Sequence, residues 1–227
     1  MFADRREAGR RLLERLRHLE GEKPVVLGLP RGGVAVAFEI AKGLKAPLDI
    51  LLVGKIGVPW QRELALGAVA DGEDPEIVID EALRAELRIE TRYIEEETRR
   101  RLIEIERRRR LYRGEKAAIA LAGRTVILVD DGIATGSTLF AALHRLRKAR
   151  AGKIVLAVPV APGDALQRLG PLVDELLCLR APEPFIAVGA HYRDFAQVSD
   201  EEVVGLLEER ERGENAPPES PPRESRP

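Results

Sequence analysis

One cysteine, one methionine and one tryptophan occur in 227 residues, and aromatic residues make up only 4%. A lone Cys178 can neither form an intrachain disulfide nor supply a zinc cluster. A chain of this length buries enough surface to fold without either staple. Lysine is scarce as well: seven of the 37 basic side chains, the remainder being arginine. The Lys-plus-Glu enrichment of heat-adapted proteins is therefore missing on its lysine side. Net charge is −1 and the pI about 6.4. No global field draws such a chain to nucleic acid or to a membrane surface. No stretch approaches the eighteen apolar residues of a spanning helix. The start, Met1-Phe2-Ala3-Asp4-Arg5-Arg6-Glu7, leads into no apolar run of a secretory leader. Neither a Walker loop nor a G-x-G-x-x-G is present, which argues against nucleoside triphosphatase and dinucleotide readings. A soluble, cytoplasmic, globular protein is expected, with no nucleic-acid or membrane partner.

What is present alternates strand and helix patterns. Residues 3–19 read as an amphipathic helix with Leu12, Leu16 and Leu19 on one stripe. Residues 24–29 read as a short buried strand and residues 34–42 as a helix closed by Gly43. Residues 48–53 form a second apolar run without alternation, as in a strand covered on both faces. Gly54, Gly57, Pro59 and Gly67 then punctuate a stretch that reads as a long loop over 54–67, a length usual for functional loops. Residues 77–79 suggest a short strand, and residues 81–112 one long charged helix. That helix ends in Arg107-Arg108-Arg109-Arg110, where cations suit the helix dipole. Residues 125–131 are the clearest strand, followed by a helix over 136–149, a strand over 153–159, a short helix over 162–169 and a last strand over 175–179. The order predicts an α/β fold: a mostly parallel central sheet with helices on both faces. A core over 1–180, a small C-terminal cap over 181–207 and a disordered Pro-rich tail over 213–227 complete the expected organisation. Cys178 lies in an apolar run and reads as an inert buried thiol.

Chemistry concentrates in Val126-Ile127-Leu128-Val129-Asp130-Asp131-Gly132-Ile133-Ala134-Thr135-Gly136-Ser137-Thr138-Leu139. Two carboxylates stand at the carboxyl end of a buried strand, and a small-residue loop with three hydroxyls then opens a helix. Successive backbone N–H groups in such a loop, with the helix N-terminus behind them, form a cradle for a phosphate dianion. Carboxylates beside a phosphate need a different partner, and ionised carboxylates only accept hydrogen bonds. Ribose hydroxyls meet that need. A strand tip that holds a sugar by its diol and by its 5-phosphate is the physical reading. A helix cap alone would use one side chain rather than two acids and three hydroxyls.

This segment resembles the phosphoribosyl pyrophosphate signature of the type I phosphoribosyltransferases. The resemblance implies that Asp130 and Asp131 bind the ribose 2- and 3-hydroxyls and that the loop of Ala134, Thr135, Gly136, Ser137 and Thr138 binds the 5-phosphate, with Gly132 and Ile133 also among the substrate-binding residues. Gly28-Leu29-Pro30-Arg31-Gly32-Gly33 looks like the pyrophosphate loop, so Pro30, Arg31, Gly32 and Gly33 would hold the leaving diphosphate. Lys55, read as ending the second strand, would stand against it. The stretch with Pro59, Arg62 and Glu63 resembles the loop that closes over substrate. More narrowly, residues 2–9, 28–33, 63–68 and 188–195 are similar to a subgroup of phosphoribosyltransferases of unassigned substrate. The resemblance covers roughly residues 1–207. It implies Mg2+ held mainly by substrate oxygens, no protein metal-ligand cluster, and Arg31, Lys55 and Asp131 as the catalytic side chains.

One departure matters. Hypoxanthine and guanine enzymes carry an Asp just before the Thr-Gly of the signature, and here that position is Ala134. The 6-oxopurine reading is weakened, while adenine-type relatives and those that synthesise the ribosyl phosphate donor tolerate Ala. The acceptor is expected to be a nitrogenous base chosen by residues 181–207. The rival reading is a non-catalytic module that binds phosphoribosyl pyrophosphate and regulates. An RNA role through residues 107–110 is weaker, because Glu104 and Glu106 precede the run and no aromatics interleave. A homodimer is the default assembly, with helix 81–112 as the candidate interface. Asp131 is expected in a solvated cleft.

Overall fold

The computed structural model describes residues 1–72 and 74–215. Its centre is a five-stranded, wholly parallel sheet. The strands are β1 (Val25–Gly28), β2 (Leu48–Ile50), β6 (Thr125–Val129), β7 (Lys153–Val160) and β8 (Glu175–Arg180), and they lie in the order β2-β1-β6-β7-β8. Successive residues of one strand are buried on opposite faces. Val26, Ile127 and Val155 join one core cluster, and Val25, Val126 and Ile154 another. That two-sided burial explains the unbroken apolar runs.

The first face is covered by α1 (Arg5–Leu16), α2 (Gly32–Gly43) and α7 (Asp200–Asn215), the second by α5 (Ser137–Lys148) and α6 (Gly163–Leu169). Helix α1 starts where the sequence caps it: Asp4 accepts a hydrogen bond from the Glu7 amide at 2.7 Å. Leu139, Leu143 and Leu146 carry α5 into the second core, each contributing roughly 1.5–3 kcal/mol of burial. The strand order switches sides between β1 and β6, which run parallel and pair in register from Val25↔Val126 to Gly28↔Val129. Their carboxyl ends therefore flank the crevice where open α/β sheets bind ligands.

The expected long loop over 54–67 is instead a hairpin. Strands β3 (Val53–Val58), β4 (Gln61–Ala70) and β5 (Glu76–Ile79) make a second, antiparallel sheet that packs on α5. The expected single helix over 81–112 is also broken. A short α3 (Glu81–Glu86) ends at Leu87, and α4 (Thr91–Arg113) begins a turn later. Arg88, at φ 52°, makes the corner. The last turn of α4 anchors both sheets. Arg113 donates to Asp49 Oδ1 at 2.7 Å and to the Ile50 carbonyl at 2.6 Å, and lies 3.7 Å from Asp71.

The segment after β8 returns to the N-terminus. Phe2 and Tyr192 form a β-bridge, and the Arg193 and Asp194 amides donate to the Phe2 and Ala3 carbonyls. Helix α7 then buries Val203 and Leu206 in the first core cluster. The expected disordered tail over 213–227 lies, beyond Asn215, outside the described residues. Among the described residues no helix is long and apolar enough to cross a membrane.

Candidate active site

Two loops meet at the crevice. The first runs from β1 through Pro30 and Arg31 into Gly32 and Gly33, the opening residues of α2, and contains a cis peptide bond between Pro30 and Arg31. The second runs from β6 through Asp130 and Asp131 to Ser137 at the start of α5. They touch directly. A Cβ on Gly32 would collide with Asp131 Oδ2, and one on Gly33 would come within 2.8 Å of the Val129 carbonyl oxygen. The glycines are thus explained by the approach of the first loop to the acid pair.

Asp130 and Asp131 have unlike surroundings. Asp130 Oδ1 accepts from the Asp131 amide at 2.8 Å. Burial pushes the Asp130 carboxyl well above its ordinary range, and the neighbouring Asp131 charge pushes it further. Asp131 does not stand in an open, solvated cleft. Its Oδ2 accepts from Arg5 Nε at 2.7 Å, and its side chain is 17% exposed. Its backbone carbonyl accepts from the Tyr192 hydroxyl at 2.6 Å. Neither Arg5 nor Tyr192 was marked by a motif of the acid pair, although both fall in the N-terminal and C-terminal stretches that carry the subgroup resemblance.

The loop beyond the acids runs over residues 132–136 and turns sharply into α5. Gly132 and Ile133 are buried, whereas Ala134 and Thr135 are exposed. Gly136 sits at φ 78°, a left-handed conformation that turns the chain into α5. The Thr135 and Ser137 hydroxyls lie 2.9 Å apart, and Thr138 follows in the first turn of the helix. Arg168 of α6 donates to the Thr135 carbonyl at 2.8 Å. Next to this loop lies a cleft of about 750 Å³, walled by Leu64–Ala68 on β4, Phe140 on α5 and Arg168 on α6.

Arg31 approaches Asp200 Oδ1 at 3.7 Å. The same oxygen accepts from Tyr112 at 2.5 Å, and burial together with that bond pushes the Tyr112 hydroxyl up to about 12. Arg31 is thereby linked to the ends of α4 and α7. Lys55 does not end a strand of the parallel sheet. It lies inside β3, paired with Ala68 of β4, and its Nζ donates to the Glu63 carbonyl and carboxylate at 3.0 and 3.1 Å. It lines a separate polar pocket of about 300 Å³ with Arg62, Arg101 and Arg108. The structure therefore brings Pro30, Gly32, Gly33, Asp130 and Asp131 together and holds Lys55 apart on the hairpin.

Other side chains are accounted for by their contacts. Burial raises the Cys178 thiol above its ordinary value, and its Sγ faces the Arg180 carbonyl. Arg108 pairs with Glu104, while Arg109 and Arg110 pair with Glu106. Phe195 lies under the Arg5 guanidinium at 3.9 Å, and Phe185 stacks on His191. No cluster of three His, Cys, Asp or Glu residues suited to a metal occurs among the described residues.

A parallel sheet with an acid pair and a loop into a helix at its switch point defines an α/β protein of the open-sheet class, whose ligand crevice lies at the carboxyl ends of the strands. Residues 4–178 match the family model described as the phosphoribosyl transferase domain. The chain is 48% identical over 208 residues to a Mycobacterium tuberculosis (H37Rv) protein named "Putative phosphoribosyl transferase Rv0571c", and equally to its counterpart MT0597 from strain CDC 1551. Each alignment covers 92% of this chain and 46% of the relative, so the chain spans about half the length of the curated relatives it matches. The crystal structure of TT1426 from Thermus thermophilus is 44% identical, superposes with a TM-score of 0.79, and is matched over 92% of this chain and 98% of that one. The chain belongs to the phosphoribosyl transferase domain family.

Proposed function

We propose that this chain is a Mg2+-dependent phosphoribosyltransferase that moves the ribosyl 5-phosphate of phosphoribosyl pyrophosphate to a nitrogenous base and releases diphosphate. One observation carries the reading: the acid pair at the tip of β6, the loop into α5 and the glycines of the β1–α2 loop converge on one crevice.

In this mechanism the backbone amides of residues 134–138 and the hydroxyls of Thr135, Ser137 and Thr138 bind the 5-phosphate at the N-terminus of α5. Asp130 and Asp131 bind the ribose diol and fix the ring. The loop from Pro30 to Gly33 takes the diphosphate, with the Arg31 guanidinium available to the charge that grows there. The bond from C1 to the diphosphate oxygen breaks, the bond from C1 to the acceptor nitrogen forms on the opposite face, and that nitrogen gives up its proton to water, with diphosphate as the leaving group. The intervening state resembles an oxocarbenium ion, as in glycoside chemistry. A magnesium ion would be held mainly by substrate oxygens and would supply Lewis-acid neutralisation of the diphosphate charge. The β3–β4 hairpin, with Lys55, Arg62 and Glu63, is the element suited to close over the crevice and exclude water. Ala134 in place of an acid speaks for an acceptor other than a 6-oxopurine.

Calorimetric titration with phosphoribosyl pyrophosphate, with and without Mg2+, tests this on the native chain and on Asp131→Asn. Metal-dependent binding that the variant loses while staying folded is expected. Absence of binding by the native chain would end the transferase reading. Binding without diphosphate release across a panel of purine and pyrimidine bases would favour the regulatory module instead.

A further inference from the structure

We propose that Arg5 is a positioning residue for the sugar site: it holds the Asp131 carboxylate in the orientation that accepts the ribose diol. The inference rests on Asp131 being a diol ligand, as argued above.

Arg5 is the first residue of α1 and is remote in sequence from the acid pair, yet its contacts are specific. Nε donates to Asp131 Oδ2 at 2.7 Å, while Nη1 donates to the Ala196 carbonyl at 2.8 Å. The guanidinium lies 3.9 Å from the centroid of Phe195, and its side chain is 11% exposed. Cation–π contact of this kind strengthens as water is removed. A planar fork that stacks face-on against a ring while donating in two fixed directions is the property of arginine; a lysine ammonium has donors but no planar face to stack.

The frame around Arg5 is rigid on every side. Asp4 caps α1 and so fixes the backbone at residue 5. Buried Phe2 packs against the Tyr192 ring at 5.4 Å, and Tyr192 packs against Phe195 at 5.0 Å. Tyr192 also donates to the Asp131 carbonyl, so ring and guanidinium grip the same residue at its backbone and its carboxylate. On the other side Gly32 leaves no room: a Cβ there would collide with Asp131 Oδ2 and come within 2.7 Å of Arg5 Nε. The pair is clamped between the β1–α2 loop and the segment 192–196.

The chemical consequence is selective. A carboxylate offers about four lone-pair sites. Arg5 takes one of them, on Oδ2, and stops rotation of the group, so the remaining sites keep fixed directions toward a ligand. Pre-orientation of this sort saves the ordering that binding would otherwise cost. It bears on the sugar hydroxyls and leaves the phosphate loop alone.

The test uses ribose 5-phosphate and 2-deoxyribose 5-phosphate, titrated calorimetrically into the native chain, Arg5→Gln and Arg5→Lys, with melting curves on the same samples. The native chain is expected to prefer ribose 5-phosphate, and Arg5→Gln to lose at least tenfold in affinity for it with little change for the deoxy sugar, so the preference collapses. Arg5→Lys should recover part of the preference. An Arg5→Gln protein that melts like the native one and keeps the native preference overturns the role of Arg5 alone. A native chain that binds both sugars equally overturns the diol reading together with the inference. If Arg5→Gln does not fold, Arg5→Lys and Phe195→Leu carry the same readout: a reduced preference supports the inference, and a native preference in both sinks it.

Discussion

Gly32 and Asp131 lie so close that a single added carbon on the glycine would occupy the place of the carboxylate oxygen Oδ2. The atom in the way is the end of a side chain, so the backbone can survive the insertion, but the Arg5–Asp131 pair cannot keep its geometry. Gly32→Ala is therefore expected to fold and to bind ribose 5-phosphate poorly. Loss of a charge-assisted hydrogen bond costs about 1.5–3 kcal/mol, or about tenfold to a hundredfold in affinity. Calorimetry checks the affinity and a melting curve the fold; native affinity in the variant would contradict the close approach.

The Tyr192 hydroxyl is the second hold on Asp131. Tyr192→Phe keeps the ring against Phe2 and Phe195 and removes one donor, leaving the Asp131 carbonyl short of a partner. A loss of about 1–2 kcal/mol in unfolding free energy is expected. Urea titration should show a lower midpoint with an unchanged slope. A midpoint equal to the native one would show that water replaces the hydroxyl.

Asp130 gives a stability effect with a definite sign. Its folded-state carboxyl titrates well above the ordinary value of 3.8, because burial and the Asp131 charge oppose ionisation. The folded state thus holds this proton more tightly than the unfolded chain does, and ionisation costs stability as pH rises through that window. Asp130→Asn keeps an oxygen for the Asp131 amide and carries no charge. It should gain in melting temperature relative to the native chain as pH rises above 3.8, level off above the raised folded value, and show no gain below 3.8. A variant less stable than the native chain at pH 7 would refute this assignment. The same variant should bind ribose 5-phosphate more weakly, a cost in stability retained for function.

Arg113 is held by two carboxylates rather than one. Asp49 and Asp71 are both buried, and burial raises Asp71 despite the nearby guanidinium. Arg113→Met would strand both acids, and breaking such a buried pair costs about 3–5 kcal/mol. The deficit should shrink on acidification, because protonated Asp71 no longer needs the cation. Chemical denaturation at pH 7 and pH 4 measures both quantities. A loss that is small, or independent of pH, would place the anchoring of the two sheets elsewhere.

The parallel sheet and the acid pair are legible because its central strands are apolar runs ending in turn residues, from Val25 to Gly28 and from Val126 to Val129. The hairpin is not. Gly54, Gly57 and Gly67 read as loop punctuation, yet they sit in strands because neighbours crowd them: Arg101 against Gly54, the Arg62 backbone against Gly57, and the Val78 carbonyl against Gly67. Register shifts at Ile56–Val58 further hide the alternation that marks a strand. The long helix was read through its corner because Leu87 keeps the apolar spacing where the backbone turns at Arg88. The contacts of Asp131 with Arg5 and Tyr192 span 126 and 61 residues and leave no local pattern. The stretches 2–9 and 188–195 carry the subgroup resemblance but do not by themselves reveal these contacts.

Lys55 separates binding from turnover. Its partner Glu63 is almost wholly exposed, so the pair is a surface one and contributes at most about 1 kcal/mol. Lys55→Ala should accordingly lower the melting temperature by no more than about 2–4 °C. The hairpin that carries it stands outside the parallel sheet, and its Nζ is turned onto Glu63 rather than onto the crevice. Lys55 can reach a departing diphosphate only if the hairpin moves and exchanges Glu63 for the substrate's charge. In the proposed mechanism that exchange would accompany closure, when the C1–oxygen bond breaks. Lys55→Ala should therefore lower the rate of diphosphate release more than it weakens phosphoribosyl pyrophosphate binding. Glu63→Gln, which removes the charge of the side-chain partner and leaves only neutral acceptors to exchange, should leave the rate at or above the native value. Release rates over a purine and pyrimidine panel, beside calorimetric affinities, make the comparison. An equal loss of rate and affinity in Lys55→Ala would mean that Lys55 binds the ground state, and native values of both would remove it from the site.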